Sequence, residues 1–146
     1  MSTILEFLGT DHRACDDLFA ACEAAVAQQH WDEVRNLFER FCAAMDGHLA
    51  MEEQILFPAF EAATGFSMGP TRVMQMEHDQ MRELIQEMET AVAACNERHY
   101  LGLSETLNML MQQHNLKEEG MLYPMSDQAL AASKDSLIRE METIGG

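Results

Sequence analysis

The chain is written twice. Displaced against itself by 66 residues, it places His12 on His78, His48 on His114, Glu52 on Glu118, Glu53 on Glu119 and Pro58 on Pro124, with no gap. Between these, "EAAVA" (23–27) falls on "ETAVA" (89–93), and Leu37 and Met45 fall on Leu103 and Met111. A repeat of this kind marks a supersecondary unit that buries its apolar face against its own copy.

Each copy reads as a pair of helices. In "ILEFLGTDHRACDDLFAACEAAV" (4–26) the apolar residues Leu5, Leu8, Phe19, Cys22 and Val26 recur at helical spacing, and strand-type alternation is absent. "GFSMGP" (65–70) carries two glycines and a proline, with Pro70 placed to open a helix. "QQHWDE" (28–33) and "CNERHY" (95–100) read as shorter turns. The pattern predicts helices near 3–28, 32–62, 70–95 and 99–120. "SDQ" (126–128) predicts a short fifth helix with Ser126 as its N-cap, and "IGG" (144–146) a frayed end. The expected fold is all-α and a single domain over 1–146. It is an antiparallel up-down four-helix bundle built from two repeated helix pairs, with a short C-terminal extra helix.

Composition narrows the function. Apolar residues at 47% and charged residues at 23% suit a soluble globular chain with a sizeable core. A formal net charge of −16 repels phosphate backbones and anionic lipids, which argues against nucleic-acid or membrane-surface binding. "MSTILEFLGTDHR" has neither a basic n-region nor an apolar h-region, and no apolar run approaches transmembrane length. The four cysteines form no CxxC pair, so reduced thiols and a cytoplasmic location are expected. Most of the thirteen methionines read as flexible core filler. No Gly-rich phosphate loop and no nucleophile triad motif appears.

The chemistry lies in the repeated positions. His48 shares a helical stripe with Phe41, Ala44, Met45, Glu52 and Ile55, and His114 shares one with Leu107, Leu110, Met111, Glu118 and Met121. His12 lies between Leu8 and Phe19, and His78 between Met74 and Ile85. One histidine on an apolar face is ordinarily a satisfied core residue. Four with two inward carboxylates are different, because an uncompensated buried carboxylate is very costly. Lys117 and Arg82 are the nearest cations, and Lys117 lies off the stripe. Metal cations compensate directly, and a set of N/O ligands without thiolate suits iron, manganese or zinc. Two carboxylates can bridge two metals. His30 falls on Asn96 and His99 on Glu33, so neither is paired, and both read as surface residues.

At "DH" (11–12), "HxxxE" (48–52), "EH" (77–78) and "HxxxE" (114–118) the chain resembles the hemerythrin-like (HHE cation-binding) family over about residues 8–124. The resemblance implies a four-helix bundle holding two non-heme Fe ions with an oxo or hydroxo bridge. His12, His48, His78 and His114 would be terminal ligands, and Glu52 and Glu118 bridging carboxylates. Oxygen-carrying members have a further histidine one turn before the third-helix histidine, where this chain has Met74; one turn after is Arg82. If His12 and His48 serve one iron and His78 and His114 the other, each octahedral iron keeps one open position.

That pattern implies reaction with, or sensing of, O2, peroxide or NO rather than oxygen transport. The alternatives are an iron donor in iron–sulfur cluster repair, an oxygen-binding hemerythrin, and a metal-stabilised bundle that signals through a protein partner the sequence does not name. Repair relatives often carry an extra N-terminal cysteine-bearing domain, and here His12 comes almost at once. Cys15, one turn after His12, reads as small apolar filler, with oxidation by peroxide as its functional alternative. Glu53 and Glu119, one step off the stripe, read as surface charge rather than partners of a ligand histidine. Tyr123 corresponds to Phe57, and its helical angle places its hydroxyl poorly for the site.

Overall fold

The structure is a computed structural model that describes residues 2–145. Those residues are almost wholly helical, and no strand occurs among them. The first repeat forms α1 (Ile4–Ala27) and α2 (Trp31–Met51), a π-helical turn (Glu52–Leu56) and α3 (Phe57–Thr64). The second forms α4 (Pro70–Ala93) and α5 (Glu97–Lys117), a π-helical turn (Glu118–Leu122) and α6 (Tyr123–Ala129); α7 (Lys134–Gly145) follows. The most extensive packing is of α1 on α2 and of α4 on α5, with further contacts of α1 with α5 and of α2 with α4.

Local chemistry accounts for the ends. Thr3 caps α1 by accepting from the Glu6 N–H. Asp127 accepts from the Ile4 and Leu5 N–H groups, putting a carboxylate at the positive end of the same helix. Asn96 caps α5 through the His99 N–H. Pro70 opens α4 as expected, and Gly65 ends α3 at φ 77°, a left-handed conformation that glycine adopts without a Cβ penalty.

The C-terminal region departs from expectation. The fourth helical segment does not end near 120 but runs through the π turn to Ala129. Ser126 is therefore no N-cap: it is buried within α6, and its hydroxyl donates to the Leu122 carbonyl. The extra helix is α7, whose Ile138 and Met141 pack into the apolar cluster around Ile4, Leu8 and Met51. Ile144 and Gly145, expected to fray, lie in α7, and Gly146 lies outside the described residues.

Both π turns have the same cause. Phe57 N–H bonds to the Glu52 carbonyl and Tyr123 N–H to the Glu118 carbonyl, five residues back. The next residue in each case is proline, which has no N–H and whose ring would clash with a carbonyl in a regular α-ladder. The widened turn delays the inward stripe by one residue. Leu56, Phe57, Leu122 and Tyr123 are buried, while Ile55 is half-buried and Met121 is 46% exposed. Regular helical spacing placed Ile55 and Met121 inward; Ile55 still packs at the edge of the apolar cluster, and the π turn is why Met121 does not.

Among the described residues the apolar interior forms two clusters. One contains Phe19, Cys22, Val26, Phe38, Phe41 and Tyr100. The other contains Ile4, Leu8, Met51, Leu56, Phe60 and Met74. Along each repeat the four buried histidines fall between them. No described helix is long and apolar enough to cross a membrane.

The repeat extends to its turns: Gln29 (φ 58°) and its mate Cys95 (φ 50°) both adopt the left-handed region. An L-residue there carries about 1 kcal/mol of strain. Gln29→Gly relieves it and is expected to raise unfolding free energy by about 0.5 kcal/mol after glycine's greater chain entropy is subtracted. The midpoint of urea denaturation, compared with the parent, measures this.

Candidate metal centre

The centre is built from four helices and both π turns. His12 comes from α1, His48 from α2, His78 from α4 and His114 from α5, while Glu52 and Glu118 open the π turns. All six are at most 4% exposed. The rings pair within each repeat, with centroids 4.5 Å apart for His12 and His48 and 5.0 Å for His78 and His114.

Every imidazole is gripped at its outer nitrogen by a carboxylate. His48 Nδ1 lies 2.7 Å from Asp11, and its repeat counterpart His114 Nδ1 lies 2.8 Å from Glu77. His78 Nδ1 lies 2.7 Å from Glu53, and its counterpart His12 Nδ1 lies 2.8 Å from Glu119. An ionised carboxylate only accepts, so each Nδ1 carries the proton and each Nε2 faces inward. Glu53 and Glu119, expected as surface charge, are therefore hydrogen-bond partners of His78 and His12. Asp11 and Glu77 had no assigned role beyond belonging to "DH" and "EH". Their signal was available, since both repeats place an acid immediately before the first histidine. Arg82 makes two hydrogen bonds to Glu53, and Lys117 pairs with Glu77, so both cations serve the outer acids rather than Glu52 and Glu118.

The inner nitrogens converge on the two buried carboxylates. His48 and His78 Nε2 lie 3.4 and 3.1 Å from Glu52 Oε1. His114 Nε2 lies 3.2 Å from Glu118 Oε2, and His12 Nε2 lies 3.0 Å from Glu118 Oε1. Five of these buried atoms have no hydrogen-bond partner: Nε2 of His48, His78 and His114, Oε1 of Glu52 and Oε2 of Glu118. Buried polar atoms are normally satisfied, so an inward-facing set without partners fits a cation. Glu52, His78, His114 and Glu118 each bring a ligand atom within 4.8 Å of one another, and so do His12, His48 and Glu118.

Tyr123 corrects another expectation. Its hydroxyl donates to Glu52 Oε2 at 2.7 Å and lies 3.0 Å from Glu118 Oε1. In a regular helix a residue five beyond Glu118 points away from it; the wider π turn brings the two together. Cys15 is buried as expected, and burial pushes its thiol up to about 12, so it stays protonated. A cavity of ≈ 10 Å³ lies beside His12, His48 and His114, walled by Cys15, Met45, Met81 and Met111. His30 and His99 are exposed, as expected.

Charge and burial set the protonation of the centre. Burial opposes the His48 imidazolium, but the Glu52 carboxylate and the Asp11 hydrogen bond outweigh it and push His48 up to about 10. His114 is also raised: burial opposes the charge, and Glu118 and Glu77 prevail. Burial works against the Glu52 carboxylate, yet His48 and the hydrogen bonds around it hold it well below its usual 4.5. A raised histidine stabilises the fold below its unfolded value of 6.5 and loses that contribution as pH climbs through its folded value. A depressed carboxylate stabilises above 4.5 and loses its contribution in acid. Protein held metal-free by a chelator is therefore expected to melt highest between pH 4.5 and 6.5, and progressively lower from 6.5 to about 10. Thermal melts across that range measure it.

The sequence comparisons agree with this geometry. The chain is 37% identical over 90 residues to "Iron-sulfur cluster repair protein YtfE" of Edwardsiella ictaluri (strain 93-146), covering 55% of this chain and 40% of that protein. It is 33% identical over 90 residues to the protein of the same name from Escherichia coli O1:K1 / APEC, with the same coverage. The match thus spans less than half the length of these curated relatives. No solved structure matches. The family model "Hemerythrin HHE cation binding domain" matches residues 3–126. With its buried His/Glu constellation and a match over most of its length, the chain belongs to the hemerythrin HHE cation-binding family.

Proposed function

We propose that the chain forms an antiparallel four-helix bundle that holds two non-heme iron ions and reacts with, or senses, O2, peroxide or NO. His12 and His48 would serve one ion and His78 and His114 the other, with Glu52 and Glu118 shared. The observation that carries this reading is the charge balance. Six carboxylates (Asp11, Glu52, Glu53, Glu77, Glu118 and Glu119) surround four imidazoles and two cationic side chains, Arg82 and Lys117. Neutral imidazoles leave four negative charges, which two divalent cations cancel. Nitrogen and oxygen donors without thiolate suit iron among the first-row metals, and the family match points the same way.

Bound iron would supply reversible one-electron chemistry with a small oxidant. The protein's part is to orient and to exclude. The outer acids fix each imidazole with Nε2 inward, and the apolar clusters on either side keep bulk water out. The small cavity beside His12, His48 and His114 has room for about one water-sized molecule. Similarity to proteins named for iron–sulfur cluster repair supports a second reading, in which the same centre donates iron.

Anaerobic Fe(II) loading separates these. Two irons per chain, retained through repeated exposure to O2 or NO, support the redox or sensing role. Ready transfer to an apo iron–sulfur protein supports the donor role. Fewer than two ions overturns the two-metal reading. Since the facing carboxylates raise both His48 and His114 in the absence of metal, loading at pH 7 is expected to release protons, read by calorimetry in buffers of different ionisation enthalpy.

Two substitutions bear on the roles of individual residues. Glu53→Ala frees the ring of His78 and is expected to weaken metal binding about 10–100-fold while the helical circular dichroism is kept. Met74→His restores a histidine one turn before His78, and the expected result is an optical band with O2 that reverses under vacuum and is absent in the parent.

A further inference from the structure

The repeat is broken at one atom of the centre. Tyr123 and Phe57 are repeat mates, each placed by the same π-helical step, and each stacks on a histidine. Tyr123 lies 5.6 Å from His12 at 27°, and Phe57 lies 5.5 Å from His78 at 28°. The rings are equivalent and the phenol oxygen is the difference.

That oxygen sits on one side of the centre. It is 2.7 Å from Glu52 Oε2, 3.0 Å from Glu118 Oε1 and 3.2 Å from His12 Nε2. The phenol gives its one proton to Glu52 Oε2, and its oxygen stands against Glu118 Oε1 and His12 Nε2. Among the described residues the opposite carboxylate oxygens, Glu52 Oε1 and Glu118 Oε2, have no hydrogen-bond partner; nor have His78 and His114 Nε2, while at the other position only His48 Nε2 lacks one. The two ligand groups differ in the same sense. Both carboxylates group with His78 and His114, whereas only Glu118 groups with His12 and His48 together; Glu52 Oε1 reaches His48 of that pair, at 3.4 Å.

We propose that Tyr123 makes the two ion positions unequal, so that the His78/His114 position fills first and the His12/His48 position fills second and more weakly. An ion at the first position meets donor atoms with nothing to give up. At the second it must move the Tyr123 hydroxyl that stands against His12 Nε2 and Glu118 Oε1, and so disturbs its bond to Glu52. Losing hydrogen bonds to a charged acceptor in a buried site lowers affinity by about tenfold or more. Tyr123 is thus a positioning residue, holding the bridging carboxylates before the second ion arrives. The inference rests on the two-ion reading above.

Anaerobic titration with Co(II), followed by calorimetry and by its visible absorption, tests it. The parent is expected to bind in two steps at least about tenfold apart. In Tyr123→Phe, which copies the other repeat, the separation should shrink severalfold through tightening of the second step. Phe57→Tyr should weaken the first step. His12→Ala should abolish the weaker step and keep the tighter one. Separation unchanged in Tyr123→Phe, or loss of the tighter step in His12→Ala, overturns the inference while leaving two ions per chain intact. A stoichiometry below two in the parent overturns the two-ion reading itself.

Discussion

Glu52 and Glu118 have no exposed surface, and a carboxylate so placed must find positive charge or stay protonated. In this protein the positive charge can come from imidazolium protons or from metal, and the surroundings serve both. Four imidazoles face the pair, and four more acids hold those imidazoles in place. Without metal the carboxylates around them favour the protonated rings of His48 and His114; with metal the four outer acids would fix the tautomer that leaves Nε2 free to coordinate.

Those outer hydrogen bonds also tie the elements together. Asp11 to His48 joins α1 to α2, and Glu77 to His114 joins α4 to α5. Glu53 to His78 joins the first π turn to α4, and Glu119 to His12 joins the second to α1. The polar belt therefore couples the same neighbours that the apolar clusters bring together. Its bonds are directional where apolar packing is not, so they fix the relative height of the helices. Apolar burial provides the larger driving force for collapse, and the belt selects one register among the ways the helices could pack.

The π turns connect sequence to site most directly. Pro58 and Pro124 remove an N–H one residue after the aromatic, and the widened turn that accommodates them swings Phe57 and Tyr123 over the histidines. Two copies of one sequence device then produce two environments, because only one aromatic carries a hydroxyl. The departure from two-fold symmetry is small in sequence and falls where Glu52 and Glu118 meet.

The sequence by itself determined the helical pairs, their turns and the six buried His and Glu residues. Repeat and periodicity are local properties, and buried carboxylates beside histidines demand compensation in any fold. It did not determine the outer shell. Glu53 and Glu119 lie off the stripe by helical angle, and only packing brings them against rings from another helix, 25 and 107 residues away in the chain. Tyr123, Met121 and Ser126 were misplaced for one shared reason. A regular helix was assumed through Pro124 or ended before it, whereas the chain widens into a π turn and continues. Which carboxylate oxygens are satisfied and which are left facing the histidines was decided by tertiary structure alone, because those distances depend on elements far apart in the chain.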